Sequence, residues 1–175
     1  MKTVQIRAQR VADAKRFFDI LSHPDFADFG VRPASVEDER AFLRLNREKR
    51  RRGIEFNFAV TLDKRVVGAI GLKIDQQRRH IGEMGYFMDR AHWGKGLATA
   101  AVRLAEQFAT ARMKLRRLEI LTRTGNRASQ RVAKKSGYQR EGLLRGKIMQ
   151  AGHSVDAILF GKVLPATASR HARIR

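Results

Sequence analysis

Apolar and polar positions alternate along this chain in two distinct periods, and the changes of period mark out the elements. Residues 3–8 (TVQIRA) alternate weakly, as an edge strand does. From Val11 the period lengthens, and Val11, Ala14, Phe17, Phe18 and Leu21 fall on one helical stripe. Residues 23–35, with Pro24, Gly30 and Pro33, read as a loop carrying Phe26 and Phe29. Ser35 predicts an N-cap with Asp38 three residues on, and Glu37 and Glu39 lie in the first turn, where carboxylates complement the helix dipole. That helix runs through Ala41, Phe42 and Leu45 to the basic run REKRRR at 47–52 and stops at Gly53.

Strand periodicity follows. Residues 54–62 (IEFNFAVTL) set Ile54, Phe56, Phe58 and Val60 on one face, Asp63 and Lys64 form a short turn, and 66–74 return as the hairpin partner. Residues 80–88 (HIGEMGYFM) predict a third antiparallel strand with Gly82 and Gly85 inside it, which marks a bulge or a close backbone approach. A long helix at 94–113 carries Leu97, Ala101, Leu104, Ala105 and Phe108 on its inner stripe. A strand at 118–122, a short helix at 128–136, and two strands at 140–149 and 154–163 around Ala151-Gly152 complete the order. The expected fold is a single α/β domain over 1–164. It has a mixed, mostly antiparallel sheet of about six to seven strands with helices on both faces, and a basic tail follows at 165–175.

Composition narrows the chemistry. At 175 residues and 43% hydrophobic content the chain suits one globular domain with a real core. It has no cysteine, which removes disulfides, thiolate metal sites and cysteine nucleophiles. His80, His92 and His153 sit on separate elements without helical pairing, so no metal site is expected. The start, MKTVQIRAQ, offers no signal-peptide core, and the longest uncharged apolar run, VVGAIGL at 66–72, is far short of a membrane span. A cytoplasmic protein is expected. Lys plus Arg number 37 against 17 Asp plus Glu, a formal charge of +20. A field of that sign attracts polyanions and repels polycations.

The stretch HWGKGLATAAV at 92–102 places two glycines at the start of a helix. Unpaired N–H groups and the dipole make a helix N-terminus an anion site, and glycine lets a phosphate approach the backbone. Residues 93–98 therefore fit a diphosphate cradle, although neither a G-K-[ST] loop nor G-x-G-x-x-G is present.

GYFMDRAHWGKGLATAAV, followed by TRTGNRASQRVAKKSGYQREGLLR, resembles the GNAT N-acetyltransferases, and more closely their Rim-type subgroup, which acetylates N-terminal amines of ribosomal proteins. Trp93 stands in the polar first position of the family's diphosphate motif, Gly96 is its middle glycine and Ala98 its last position. The second signature is met by Asn126, Ser129, Gly137-Tyr138 and Glu141-Gly142, and the match runs over about 54–164. The resemblance implies that the strand before the loop and the strand after the long helix splay apart to admit acetyl-CoA. Tyr86, Phe87 and Met88 would then contact thioester and pantetheine. Gly94, Lys95, Gly96, Leu97, Ala98 and Thr99, beside Trp93, would hold the diphosphate, and Asn126 and Ser129 would reach the cofactor. Gly82 and Gly85 would form a bulge whose N–H groups polarise the thioester carbonyl.

The resemblance also implies direct transfer, which needs a neutral amine and a proton for the thiolate. An α-amine is about 10–15% neutral at pH 7 and a lysine below about 0.1%, so a modest base acting through water suffices for the former. Glu83 is the candidate base, Ser129 the first candidate acid and Tyr138 the second. The strand glutamate of some Rim-type enzymes is replaced here, with Ile148 near its place, and Asp156 reads as a structural or substrate contact. The basic runs at 47–52, 78–80 and 112–117 suit a ribosome or RNA docking surface and ill suit capture of polyamines or aminoglycosides. A small-molecule amine acetyltransferase and a non-catalytic CoA- or RNA-binding module stand as alternatives, and monomer and homodimer are both compatible with the chain.

Overall fold

The alternating run after Gly53 folds as a hairpin of β2 (Glu55–Leu62) and β3 (Arg65–Ile74), turned by Asp63 and Lys64 in the left-handed region at φ 48° and 67°. A computed structural model describes residues 3–26, 32–150 and 152–165. β1 (Val4–Ala8) pairs with β2 on one side, and β4 (Ile81–Met88) pairs with β3 on the other. β5 (Arg117–Arg123), β6 (Gln139–Gln150) and β7 (His153–Val163) extend a seven-stranded sheet in the order β1-β2-β3-β4-β5-β7-β6. Every pairing is antiparallel except β4 with β5.

The helices cover both faces. α3 (Leu97–Ala111) lies over one face, where Phe58, Val60, Leu72, Met84, Leu118 and Ile120 meet its Ala101, Val102 and Ala105. α1 (Ala14–Leu21) and α2 (Val36–Arg51) cover the other through Ala14, Phe17 and Leu43 against Ala59 and Ala69. Each large side chain removed from water in this way contributes about 1.5–3 kcal/mol. The Ser35 hydroxyl caps α2 by accepting from the Asp38 N–H at 3.1 Å, and Gly53 at φ 64° ends the turn after it. The short helix becomes α4 (Arg127–Lys135).

Three expectations change. Val11 belongs to a 3-10 turn at Val11–Asp13 and is exposed, so α1 buries Ile20 beside Phe17 and Leu21 instead. On α2, Leu45 is 58% exposed while Leu43 and Asn46 are buried. Asn46 points inward because remote amides satisfy it: its Nδ2 donates to Gln9 Oε1 at 2.7 Å, and its Oδ1 accepts from Asn57 Nδ2 at 3.0 Å. Third, β4 has no bulge against β3, since the register runs unbroken from Gly68 opposite Met88 to Ile74 opposite Gly82. Gly82 is a packing glycine: a Cβ there would meet the side chains of Leu72, Leu115 and Leu118 at 2.7–3.2 Å. Phe29 and the tail beyond Pro165 lie outside the described residues.

Candidate active site

β4 and β5 pair in parallel only from Ile81 opposite Arg117 to Glu83 opposite Glu119. Past those residues the strands part, so the β5-facing backbone edge of Met84–Met88 is left without a strand partner. The separation opens into a cavity of about 780 Å³. Tyr86, Phe87 and Met88 line one wall, α3's first residues a second, and the start of α4 a third.

Local sequence explains the α3 wall. Asp89 closes a 3-10 turn at Arg90–His92 by accepting from the Ala91 N–H at 3.1 Å. Trp93 then donates its indole N–H to the Met88 carbonyl at 2.6 Å, tying the loop to the end of β4. Gly94 and Gly96 follow at φ 72° and 74°, a conformation that L side chains rarely adopt, and α3 starts at Leu97 rather than at Gly94. A Cβ built on either glycine would find no atom within 4 Å, so these glycines border open space rather than a packed wall. The first intrahelical bond there runs from the Ala100 N–H to the Gly96 carbonyl, and the amides of Leu97, Ala98 and Thr99 lie ahead of it. Free amides, the helix dipole and an unobstructed approach fit a diphosphate.

The α4 wall supplies cations and a hydroxyl. Asn126 caps α4 by accepting from the Ser129 N–H at 2.9 Å. The Tyr86 hydroxyl donates to the Ser129 carbonyl at 3.2 Å and lies 3.0 Å from Ser129 Oγ. Burial pushes the Tyr86 hydroxyl up to about 12, against a smaller downward pull from Ser129. Arg123, Arg131 and Lys135 line the same region and suit phosphate groups. Ala128, Arg131, Val132 and Lys135 fall at i, i+3, i+4 and i+7, a stripe that turns both α4 cations toward the cavity. That spacing was open to sequence reasoning and went unused.

The cavity is also lined by Asp25, Phe26, Gln150, Val155 and Asp156, of which only Asp156 reads as a substrate contact from sequence. Phe26 reaches it by packing edge-on against Phe87 and Trp93, with centroids 6.2 and 5.9 Å apart. Asp25 pairs with Arg90 Nε at 3.1 Å, and Asp156 Oδ1 accepts from the Gly146 N–H at 2.9 Å. Ile148 is half-buried on β6 opposite Val155.

Of the residues expected at the site, Tyr86, Phe87, Met88, Trp93, Gly94, Gly96, Leu97, Ala98, Thr99, Asn126 and Ser129 all line the cavity. Lys95 does not; its ammonium folds back to the Ala91 carbonyl at 2.7 Å. Glu83 stands at the last position of β4 that pairs with β5 and is outside the lining, although desolvation pushes its carboxyl above the usual range. Tyr138 is buried away from the cavity with its hydroxyl unpartnered among the described residues, and burial raises its pKa strongly. The described residues contain no cluster of metal-binding side chains. No helix among them is long and apolar enough to cross a membrane.

Residues 3–139 match the family model described as the acetyltransferase (GNAT) domain. The chain belongs to the GNAT acetyltransferase family. It is 32% identical over 171 residues to a probable N-acetyltransferase, YjcK, of Bacillus subtilis (strain 168), spanning 90% of this chain and 94% of the relative. It is 28% identical over 111 residues to the ribosomal-protein-serine acetyltransferase of Escherichia coli (strain K12), spanning 63% and 62%. The structure of Mycobacterium smegmatis RimJ in complex with CoA-disulfide superposes with a TM-score of 0.84 at 23% identity, over 91% of this chain and 81% of that one. The GNAT fold, with its parted strands and glycine-led helix, is thus established here, and the protein is an N-acetyltransferase.

Proposed function

We propose that this GNAT enzyme moves the acetyl group of acetyl-CoA directly to the N-terminal α-amine of a protein, a ribosomal protein in the first instance. The observation that carries the reading is the make-up of the cavity lining. It holds two carboxylates, Asp25 and Asp156, and both are already engaged, by Arg90 and by the Gly146 amide. A polyamine or aminoglycoside needs several free carboxylates, and a chain of charge +20 repels such polycations at long range. A single α-amine needs only one, and Asp156 keeps its second oxygen for it. The relative that acetylates a ribosomal-protein serine supports the same acceptor class. Docking of the basic surface on ribosomal RNA belongs to this reading and would bring the enzyme to its acceptor.

In the reaction the amine nitrogen bonds to the carbonyl carbon, the C–S bond breaks, the amine loses one proton and the thiolate gains one. The amides of 97–99 would hold the diphosphate, and the free edge of Tyr86–Met88 would align the pantetheine arm. Ser129 is assigned the proton for the thiolate, with the Tyr86 hydroxyl at 3.0 Å to restore it. Tyr138, the second donor expected from sequence, is buried outside the cavity and is given no step. Glu83, with its raised carboxyl, takes the amine proton through water.

The test is CoA release with acetyl-CoA and a panel of Ala-, Ser- and Met-starting peptides, spermidine and an aminoglycoside. Turnover confined to the peptides is the expected result. Turnover confined to the polycations overturns the acceptor assignment.

A further inference from the structure

A second cleft, of about 500 Å³, lies across the sheet from the active site, between the end of β1, α2 and β2. β2 and β3 lie between β1 and β4 in the sheet order, so those two strands are three spacings, about 14 Å, apart. Among the described residues its lining includes Arg10, Arg44, Arg47 and Arg50 and no acidic residue. Arg50 is structural: it stacks over Phe56 and Phe58 and donates to the Asn57 carbonyl at 3.2 Å. The other three are exposed. The side chains of Arg44 and Arg47 make no hydrogen bond or ion pair among the described residues. Arg10 feels the carboxylate of Asp13, but Arg7 already engages that group through two bonds of 2.7 Å.

The cleft continues into a band. On α2, Arg40, Arg44, Arg47 and Arg51 fall at i, i+4, i+7 and i+11, so they share a face. Glu37 and Glu48 are taken by Arg40 and Arg51 in exposed pairs, which leaves the middle of the row uncompensated. Past the helix end comes Arg52, and the Arg79 guanidinium lies 4.0 Å from where a Gly53 Cβ would be. Two basic runs that are separate in sequence, 47–52 and 78–80, therefore adjoin in space.

We infer that this cleft and band form a docking site for the sugar–phosphate backbone of RNA. The inference rests on the docking part of the proposed function and not on the chemistry at the acetyl-CoA cavity. Guanidinium forks match phosphate oxygens in pairs, and a row of cations longer than one small ligand suits a regularly charged polymer. None of the described residues lining the cleft is aromatic, so bases find no stacking platform. Contacts confined to the backbone give binding that ignores sequence.

Anisotropy titrations of labelled single-stranded RNAs of different sequence, repeated over a salt series, test this. The protein should bind them all alike. Arg44→Ala/Arg47→Ala should weaken binding at least about tenfold and lower the salt slope by about 1.4, two contacts at roughly 0.7 each. An Arg140→Ala/Arg145→Ala control, with the same charge change on β6 at the opposite edge of the sheet, should alter affinity less than about twofold. Absence of RNA binding, equal losses in both double variants, or strong sequence preference overturns the site. So does an acidic peptide or ATP that binds in place of RNA and is lost with Arg44 and Arg47. Acetyl-CoA and peptide kinetics measured on the same preparations separate the two readings. A failure here with peptide acetylation intact sinks only the cleft, whereas lost RNA binding in the Arg44/Arg47 variant with no acetylation by wild type sinks only the acceptor assignment.

Discussion

Gly96→Val weakens acetyl-CoA binding by about 100-fold, close to 2.7 kcal/mol, while the protein still folds. Gly96 holds φ 74°, where a β-branched side chain is strained by about 1–2 kcal/mol, so the variant loop leaves the left-handed region and takes its amides with it. Beyond its chain neighbours no atom lies within 4 Å of the added Cβ, so the new side chain enters the open space proposed for the diphosphate. Stability should fall by no more than the strain itself, which thermal denaturation reads separately. Calorimetric titration with acetyl-CoA measures the main effect. Gly96→Ala should fall between the two, because alanine tolerates the left-handed region better than valine does.

Ser129→Ala lowers kcat by about 100-fold, the usual scale for a single acid catalyst, and leaves the KM for acetyl-CoA within about threefold. The variant is clean because Asn126 caps α4 through the Ser129 backbone N–H and not through its hydroxyl, so α4 keeps its start. Tyr86→Phe should reproduce part of the loss, since it removes the hydroxyl proposed to resupply the proton. The Tyr86 hydroxyl keeps its proton up to about 12, where a free tyrosine ionises near 10. The alkaline side of the kcat profile should therefore show no fall from Tyr86 near pH 10. Steady-state kinetics over a pH series check both points.

Much of this architecture was legible because it is written locally. The alternation through Phe56, Phe58 and Val60, the cap at Ser35 and the turn at Asp63-Lys64 each rest on neighbours within a few residues. The glycine loop was legible for the same reason: the need for positive φ ahead of a helix is a property of a short segment. The parting of β4 and β5 came only with the family resemblance, since no periodicity records where two strands stop pairing.

What escaped sequence reasoning depends on remote partners. Asn46 is inside and Leu45 outside because amides from Gln9 and Asn57 meet Asn46, and those residues are 37 and 11 positions away. Gly82 serves packing rather than a bulge because three leucines from β3, the segment before β5, and β5 itself crowd one point. Asp25 and Phe26 reach the cavity through contacts to Arg90 and Trp93, which local pattern does not encode. The adjacency of Arg79 to Gly53 is of the same kind.

The central claim is that main-chain amides at the start of α3 grip a diphosphate. Titrating the protein with acetyl-CoA and with S-acetylpantetheine, which carries the same thioester and no diphosphate, tests it most directly. Acetyl-CoA should bind at least about 100-fold tighter, a difference of about 2.7 kcal/mol. Equal affinity for the two thioesters, or no heat with either, would contradict the account.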